Sequence, residues 1–371
     1  MKYEFFEAPQ GKIIEYKRVA LAASDWRNGI IVRSPNWLGD IVMALPAMYS
    51  LKKLLPKNCG FFVATPSAYT PLFESIDWVD SIVSLGTGHS KWTKEQVKEL
   101  KQLGAGIGFL FVNSLKSAYY LKRAGIKKLF GASNGIRNLL LSKHYKVEWR
   151  TKEKYDSTHQ SYKYLAMTNA LGAPEWDGKF PNFNLLKDFE IVVPEIRELR
   201  KHKNILAIHP GAAYGPAKRW SPENFKEVCN YWIRNKNGKV AVLGLNNEAD
   251  TANKVIKGLP ENSVINLVGK TTLSELMYVL KNVFLCLCND SGTMHLASAL
   301  NVNGIAIFGS TDPYSTGPFA EKWIVMLKKQ VCAPCFSREC KNSMRDYKCL
   351  KSVTPEDVYK AIDVLLKKSS S

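Results

Sequence analysis

The feature that most constrains this chain is an alternation. Short apolar runs of strand length are each followed by a segment of helical period, and the alternation occurs in two sets. The first set reads as strand Gly29–Arg33, helix from about Ile41 to Leu54, strand Gly60–Ala64 and a short helix near Tyr69–Ser75. It continues as strand Ser81–Leu85, helix Thr93–Leu103, strand Ile107–Val112 and helix Leu115–Ala124. Pro46 falls inside the first helix, so a first-turn position or a kink is expected. The second set begins at Ile205–His209 and runs through Pro222–Asn235, Lys239–Leu243, Glu248–Gly258 and Val264–Leu267. Leu273–Lys281, Val283–Cys288, Met294–Leu300 and Gly304–Phe308 follow. Such a pattern implies an α/β fold with parallel sheets in two domains, and ligands bind such sheets at the carboxyl ends of their strands.

The expected organisation is a leading extension 1–28, a first domain 29–185, a second domain 186–350 and a closing segment 351–371. Within the last, Thr354 suits an N-cap and Pro355 a first helical position of an amphipathic helix. A length of 371 residues fits two domains.

Charge narrows the partners. Lys and Arg number 52 against 33 Asp and Glu, a formal net charge of +19. That excess favours phosphorylated substrates, an anionic membrane face or nucleic acid, unless it is only a solvated surface. The basic residues are dispersed, whereas nucleic-acid binding prefers a stripe. No run approaches the roughly 20 apolar residues that span a bilayer, and the N-terminal residues do not form a signal-peptide pattern. The expectation is a cytoplasmic protein, peripheral at most on the inner membrane face.

Three loops carry the chemistry. Ser34-Pro35-Asn36-Trp37-Leu38-Gly39-Asp40 joins the first strand to its helix. Asp40 suits either a helix N-cap or a general base at the sheet's carboxyl edge. The loop lacks G-x-G-x-x-G and is bulky, which disfavours a dinucleotide site. His209 to Trp220 supplies Gly211, Gly215 and the pair Lys218-Arg219, suited to anion binding or to a basic surface loop. Asn289-Asp290-Ser291-Gly292-Thr293-Met294-His295 opens a helix after an apolar strand. Its free N–H groups suit a pyrophosphate, although D-S-G is also a plain cap. Asp290 is expected to turn from phosphate toward a sugar hydroxyl or an amide. Asn246, after the strand Lys239–Leu243, is a candidate for the ribose or base.

Of eight cysteines, Cys286 and Cys288 sit in an apolar strand pattern. Cys332, Cys335, Cys340 and Cys349 cluster near the C-terminus. The C-x2-C half suits structural zinc, the remaining spacing does not match common ribbons, and packed reduced thiols are the other reading.

Together these segments resemble glycosyltransferase family 9, the ADP-heptose:lipopolysaccharide heptosyltransferases. The resemblance rests on SPNWLGDIVMALPA (34–47), HPGAAYGPAKRW (209–220), LVGKTTLSEL (267–276) and CNDSGTMHLASALN (288–301). FGSTDP (308–313) and CAPCFSRECKNSMRDYKCL (332–350) complete it in family order, with Thr293 where a larger aliphatic residue is usual. It implies a GT-B fold of two Rossmann-like domains facing a central cleft. It also implies inverting transfer of L-glycero-D-manno-heptose from ADP-heptose, with no cofactor or metal required. By position, Asp40 matches the base and Lys218 the lysine near the donor phosphates. Gly211, Asp290, Ser291, Gly292 and His295 match the donor site, and Asn246 and Thr271 fall where adenosine contacts are expected. The implied acceptor is the phosphorylated, Kdo-bearing inner core on lipid A, already carrying one heptose, and it accounts for the charge better than nucleic acid does. Rival readings are the same transfer to another core position or a protein hydroxyl, a sugar-nucleotide epimerase of the same fold, and a nucleotide- or nucleic-acid-binding module.

Overall fold

The computed structural model describes residues 14–86, 91–148, 158–319, 322–342 and 346–370. These fall into two compact units, one of 14–148 with 158–184 and one of 185–370.

The first unit is built on a six-stranded parallel sheet: β1 (Gly29–Arg33), β2 (Gly60–Pro66), β3 (Ser81–Leu85), β4 (Ile107–Leu110), β5 (Lys128–Ala132) and β6 (Lys143–Tyr145). Their order in the sheet is β3-β2-β1-β4-β5-β6, the doubly wound order in which the chain reverses direction between β1 and β4. β1 is buried at all five positions because a central parallel strand is covered on both faces. Its first residue must be glycine: Gly29 has φ +142° and faces Gly60 so closely that a Cβ would lie 1.9 Å from the Gly60 carbonyl oxygen.

The helix Leu38–Leu54 follows β1 and buries Ile41 to Met48 and Leu51. It runs uninterrupted through Pro46, well past the expected first turn. The helix Gln160–Asn169 packs against it. β5, β6 and Gln160–Asn169 lie in the stretch where the sequence pattern had marked no elements.

Residues 14–28 of the expected extension belong to this unit, and residues 1–13 lie outside the described residues. Trp26 is buried, Arg27 forms a β-bridge with Ala105, and Asp25 pairs with Lys128 at 2.6 Å.

The second unit repeats the architecture with β7 (Ile205–His209), β8 (Lys239–Val242), β9 (Val264–Asn266), β10 (Leu285–Asn289), β11 (Asn303–Ile307) and β12 (Trp323–Met326). The order is β12-β11-β10-β7-β8-β9, all parallel, with the reversal between β7 and β10. β12 is an addition to the strands the pattern showed. The helix Pro355–Ser370 starts where its capping residues indicate, with Thr354 Oγ1 accepting the Asp357 N–H at 3.3 Å. It joins this unit's core through Val358, Ala361, Ile362 and Leu365. The three branched side chains contribute about 1.5–3 kcal/mol each on full burial, enough to fix the helix on the sheet.

Two α/β layers with parallel sheets are thus the observed fold class. Both reversal points lie directly beneath the loops that carry the candidate residues.

Candidate functional site

In the first unit, Asp40 is the third residue of the helix Leu38–Leu54, whose N-cap position is Trp37. The N-cap reading of Asp40 is therefore wrong, because the helix begins earlier than its apolar period suggests. The carboxylate stays favourable there, since the first turn carries the positive end of the helix dipole. Asp40 is half-buried, and its Oδ1 accepts from Gln160 Nε2 at 3.0 Å. The same amide nitrogen donates to the Tyr164 hydroxyl at 2.8 Å. Burial, with the charge of Asp40, raises the Tyr164 phenol well above its ordinary value. Tyr69 is raised by burial too, and Asp40 adds to it against the opposing Leu38 amide. Two phenols kept protonated thus flank one carboxylate. Gln160 and Tyr164 are not legible in the sequence, because nothing in their local pattern reports that a helix 120 residues downstream returns to Asp40.

In the second unit, four loops converge at the carboxyl edge around the β7–β10 reversal. Asn289, fully buried at the end of β10, ties two of them together. Its Oδ1 accepts the Trp220 N–H at 3.0 Å, and its Nδ2 donates to the Pro210 carbonyl at 2.8 Å. Lys218 ends the short 3-10 helix Pro216–Lys218, and its Nζ lies 2.5 Å from Asp290 Oδ2. Thr311 donates its hydroxyl to the same Asp290 oxygen at 2.5 Å. Asp290 thus holds the lysine and a threonine rather than a neighbouring amide. The Asp290 carboxylate is balanced by Lys218, and it fixes that ammonium in place.

Ser291 is the N-cap residue of the helix Gly292–Ala299, yet its side chain makes no capping bond. Its Oγ lies 3.2 Å from His209 Nδ1 instead. The other ring nitrogen of His209 lies 3.2 Å from Glu248 Oε2. His209, at the end of β7, therefore joins the loops after β8 and β10 through Glu248 and Ser291. Burial raises the Glu248 carboxyl, but His209, the Leu245 amide and Arg219 more than offset it and hold it below its ordinary value. His209 and Glu248 were not singled out from the sequence. The signal was present in His209, which starts the H-P-G loop after an apolar strand.

Gly211 has a packing reason to be glycine. A Cβ there would lie 2.0 Å from Glu248 Oε1, a carboxylate already held by His209 and by the Leu245 N–H at 2.8 Å. Gly211→Ala should force Glu248 out of place and cost about 1–3 kcal/mol, read as a lowered denaturation midpoint. An unchanged protein would mean that the carboxylate has room to move.

Asn246 is exposed and opens the 3-10 helix Asn246–Glu248. A Cβ on Gly269 would meet its Oδ1 at 2.5 Å, so Asn246 lies against the loop that carries Thr271. Thr271 is half-buried and precedes Thr272, the N-cap of the helix Leu273–Lys281.

His295 is buried in the first turn of the helix Gly292–Ala299. Burial, against a raising effect of Asp290 and with a lowering one of Lys218, pushes its imidazole down to about 4. The unfolded chain binds a proton near the ordinary value of 6.5, whereas the folded ring refuses it until about pH 4. Stability from this group is therefore whole above pH 6.5 and falls as pH drops to about 4, by about 3 kcal/mol in total. His295→Gln should flatten that limb in urea melts taken across the window, and an unaltered limb would remove His295 as its source.

The four C-terminal cysteines are unpaired. They lie near enough that Cys349, raised to about 11 first by burial, also feels Cys332, Cys335 and Cys340. Among the described residues no three His, Cys, Asp or Glu side chains converge as a metal ion requires. Residues 343–345 of the same motif lie outside the described residues.

Known proteins agree with this architecture. A lipooligosaccharide heptosyltransferase 2 of Campylobacter jejuni is 28% identical over 345 residues, covering 92% of this chain and 99% of the relative. The lipopolysaccharide heptosyltransferase 2 of Escherichia coli is 25% identical over 309 residues, covering 79% and 86%. Among solved structures, E. coli ADP-heptose lps heptosyltransferase II superimposes with a TM-score of 0.72 at 22% identity, covering 92% of this chain and 99% of that one. A glycosyl transferase family 9 protein of Veillonella parvula superimposes at 0.76 and 19% identity, over 97% and 99%. These likenesses establish the GT-B fold of the heptosyltransferases. The profile described as Glycosyltransferase family 9 (heptosyltransferase) matches residues 95–345, and with it this chain belongs to glycosyltransferase family 9 and is a glycosyltransferase.

Proposed function

We propose that this enzyme transfers L-glycero-D-manno-heptose, with inversion, from ADP-heptose to the heptose of a phosphorylated Kdo-lipid A inner core in lipopolysaccharide biosynthesis. The observation that carries the reading is the Lys218–Asp290–Thr311 cluster beside Ser291 and the open start of the helix Gly292–Ala299. It offers a fixed ammonium, free backbone N–H groups and a positive helix end, the combination that a pyrophosphate leaving group requires. Relatives of nearly the same length carry the heptosyltransferase 2 name.

The second unit takes the donor, with the diphosphate at Lys218 and the Ser291–Gly292 turn. Asn246 and Thr271 face the adenosine, and Glu248, steadied by His209, faces a donor hydroxyl. The first unit takes the acceptor. As the acceptor oxygen bonds to the anomeric carbon, the bond from that carbon to the phosphate oxygen breaks on the opposite face. The acceptor proton passes to Asp40, and ADP leaves with its charge balanced by Lys218 and the helix dipole. No step calls for a metal. No described helix is long and apolar enough to cross a membrane, and we assign the enzyme a peripheral place on the anionic inner face where a lipid-held acceptor lies.

The test is ADP release from ADP-heptose with and without an inner-core acceptor bearing one heptose. Acceptor-dependent release is expected. Tight donor binding without release on that acceptor would move the acceptor to another core position or to a protein hydroxyl.

A further inference from the structure

Eight large apolar side chains are exposed among the described residues, and five of them lie in segments that follow three neighbouring strands of the first sheet. Trp37 follows β1, Leu115 and Tyr119 follow β4, and Ile136 and Leu139 follow β5. These strands are parallel neighbours, so their following loops emerge along one edge of the first sheet, the edge that carries Asp40. Scattered single exposures are normal, but five gathered on one edge form a patch that asks for an occupant.

The most prominent pair is also the most firmly mounted. Ile136 and Leu139 are 74% and 85% exposed within the 3-10 helix Gly135–Leu140. At three residues per turn, positions i and i+3 share a face, so both side chains project together. Arg137, between them, points the other way and is 1% exposed. Its guanidinium donates to the Val112 carbonyl and, at 3.4 Å, to Asn113 Oδ1. Asn134 Nδ2 donates to the Asn113 carbonyl at 2.9 Å. The loop after β5 is thereby fastened to the loop after β4, and a braced turn presents two aliphatic side chains to solvent.

Charge identifies the occupant. Lys91 and Lys94 follow β3, and Trp92 between them stacks on Tyr120 with ring centroids 5.2 Å apart. That contact sets their loop beside the helix Leu115–Arg123, which adds Lys116 and Arg123, the latter 5.8 Å over the Tyr119 ring. In described segments 34–40, 91–95, 111–123 and 133–142 the acids are Glu95 and the half-buried Asp40. Aliphatic tips, a Trp and a Tyr, and a basic, acid-poor surround match a bilayer interface with anionic headgroups. A phosphorylated sugar would account for the lysines but not for Ile136 and Leu139.

We propose that this edge of the first unit docks on an anionic lipid bilayer, with Ile136 and Leu139 entering the interface beside the Asp40 loop. The inference rests on the reading above that the acceptor is lipid-held, and it names the surface that meets the lipid.

The experiment is vesicle co-sedimentation of the full chain, with phosphatidylglycerol mixed into phosphatidylcholine and with phosphatidylcholine alone. It is paired with heptose transfer to a vesicle-held acceptor and to its deacylated, water-soluble form. Wild type should bind the anionic vesicles, and salt should weaken that binding. The Ile136→Ser/Leu139→Ser double variant should bind about tenfold or more weakly. It should lose turnover on the vesicle-held acceptor while keeping it on the soluble one. Both sites are exposed, and an unchanged melting temperature, or the single variants, confirms folding. Equal vesicle binding by wild type and double variant, no preference for the anionic vesicles, or patch variants that instead dissolve a protein dimer would each overturn the proposal. Vesicle binding lost in the double variant, with no transfer by wild type to either acceptor, would uphold the docking and refute the functional reading.

Discussion

Asp40→Asn should lower turnover about 10²–10⁴-fold while leaving the affinity for ADP and for the donor unchanged. The asparagine preserves the size and place of the side chain at the start of the helix Leu38–Leu54 and removes only the ability to accept a proton. Asp40 belongs to the first unit and Lys218 to the second, so donor binding provides an internal control for folding. Gln160→Leu is the companion variant. It removes the amide that holds Asp40 Oδ1 at 3.0 Å but keeps the base, so its loss of turnover should be smaller than that of Asp40→Asn. Single-turnover measurements with preloaded donor isolate the chemical step. Wild-type rates in Asp40→Asn would assign proton removal to another group.

Lys218→Met should lower turnover about 10²–10³-fold, the usual range for removing one charge-stabilising group from a developing anion. Donor affinity should fall with it, because the lysine meets the pyrophosphate in the ground state as well. The pairing with Asp290 at 2.5 Å makes a second arm possible. Asp290 is 5% exposed, so Lys218→Met leaves a buried carboxylate without its ammonium, and part of the damage is local destabilisation. Lys218→Met/Asp290→Asn removes that stranded charge. It should recover the melting temperature without recovering turnover. Recovery of both would mean that Lys218 serves only to neutralise Asp290 and takes no part in leaving-group departure.

Much of the fold was legible because its signals are local. β1, β3 and β7 carry the bounds the apolar runs suggested; β1 and β7 are central parallel strands, buried at every position, and read as continuous apolar stretches. The closing helix was legible from Thr354 and Pro355 for a similar reason, because capping is decided within one turn. The stretch holding β5, β6 and Gln160–Asn169 was not legible. KLFGA and KHY are short and half polar, and QSYKYLAMTN places Lys163, which the tertiary structure buries, among its apolar positions. Of the two readings that the sequence left open for Asp40, the N-cap one fails, because the helix recruits Leu38 and Gly39 ahead of its apolar period.

The loops divide in the same way. The sequence alone determined that an alternating α/β chain would present Asp40, the His209–Trp220 segment and the Asn289–His295 segment at strand ends. Period and turn chemistry act over a few residues, and the doubly wound arrangement follows from them. Only the tertiary structure decided which residues meet: Lys218 with Asp290 and Thr311, His209 with Glu248 and Ser291, and Asp40 with Gln160. It also decided that Ile136 and Leu139 stand outside the core while Arg137 lies within it. Each of these outcomes joins segments from 21 to 120 residues apart or depends on what packs beneath a turn. No local pattern encodes them, because the energy of a contact depends on the partner that the fold delivers.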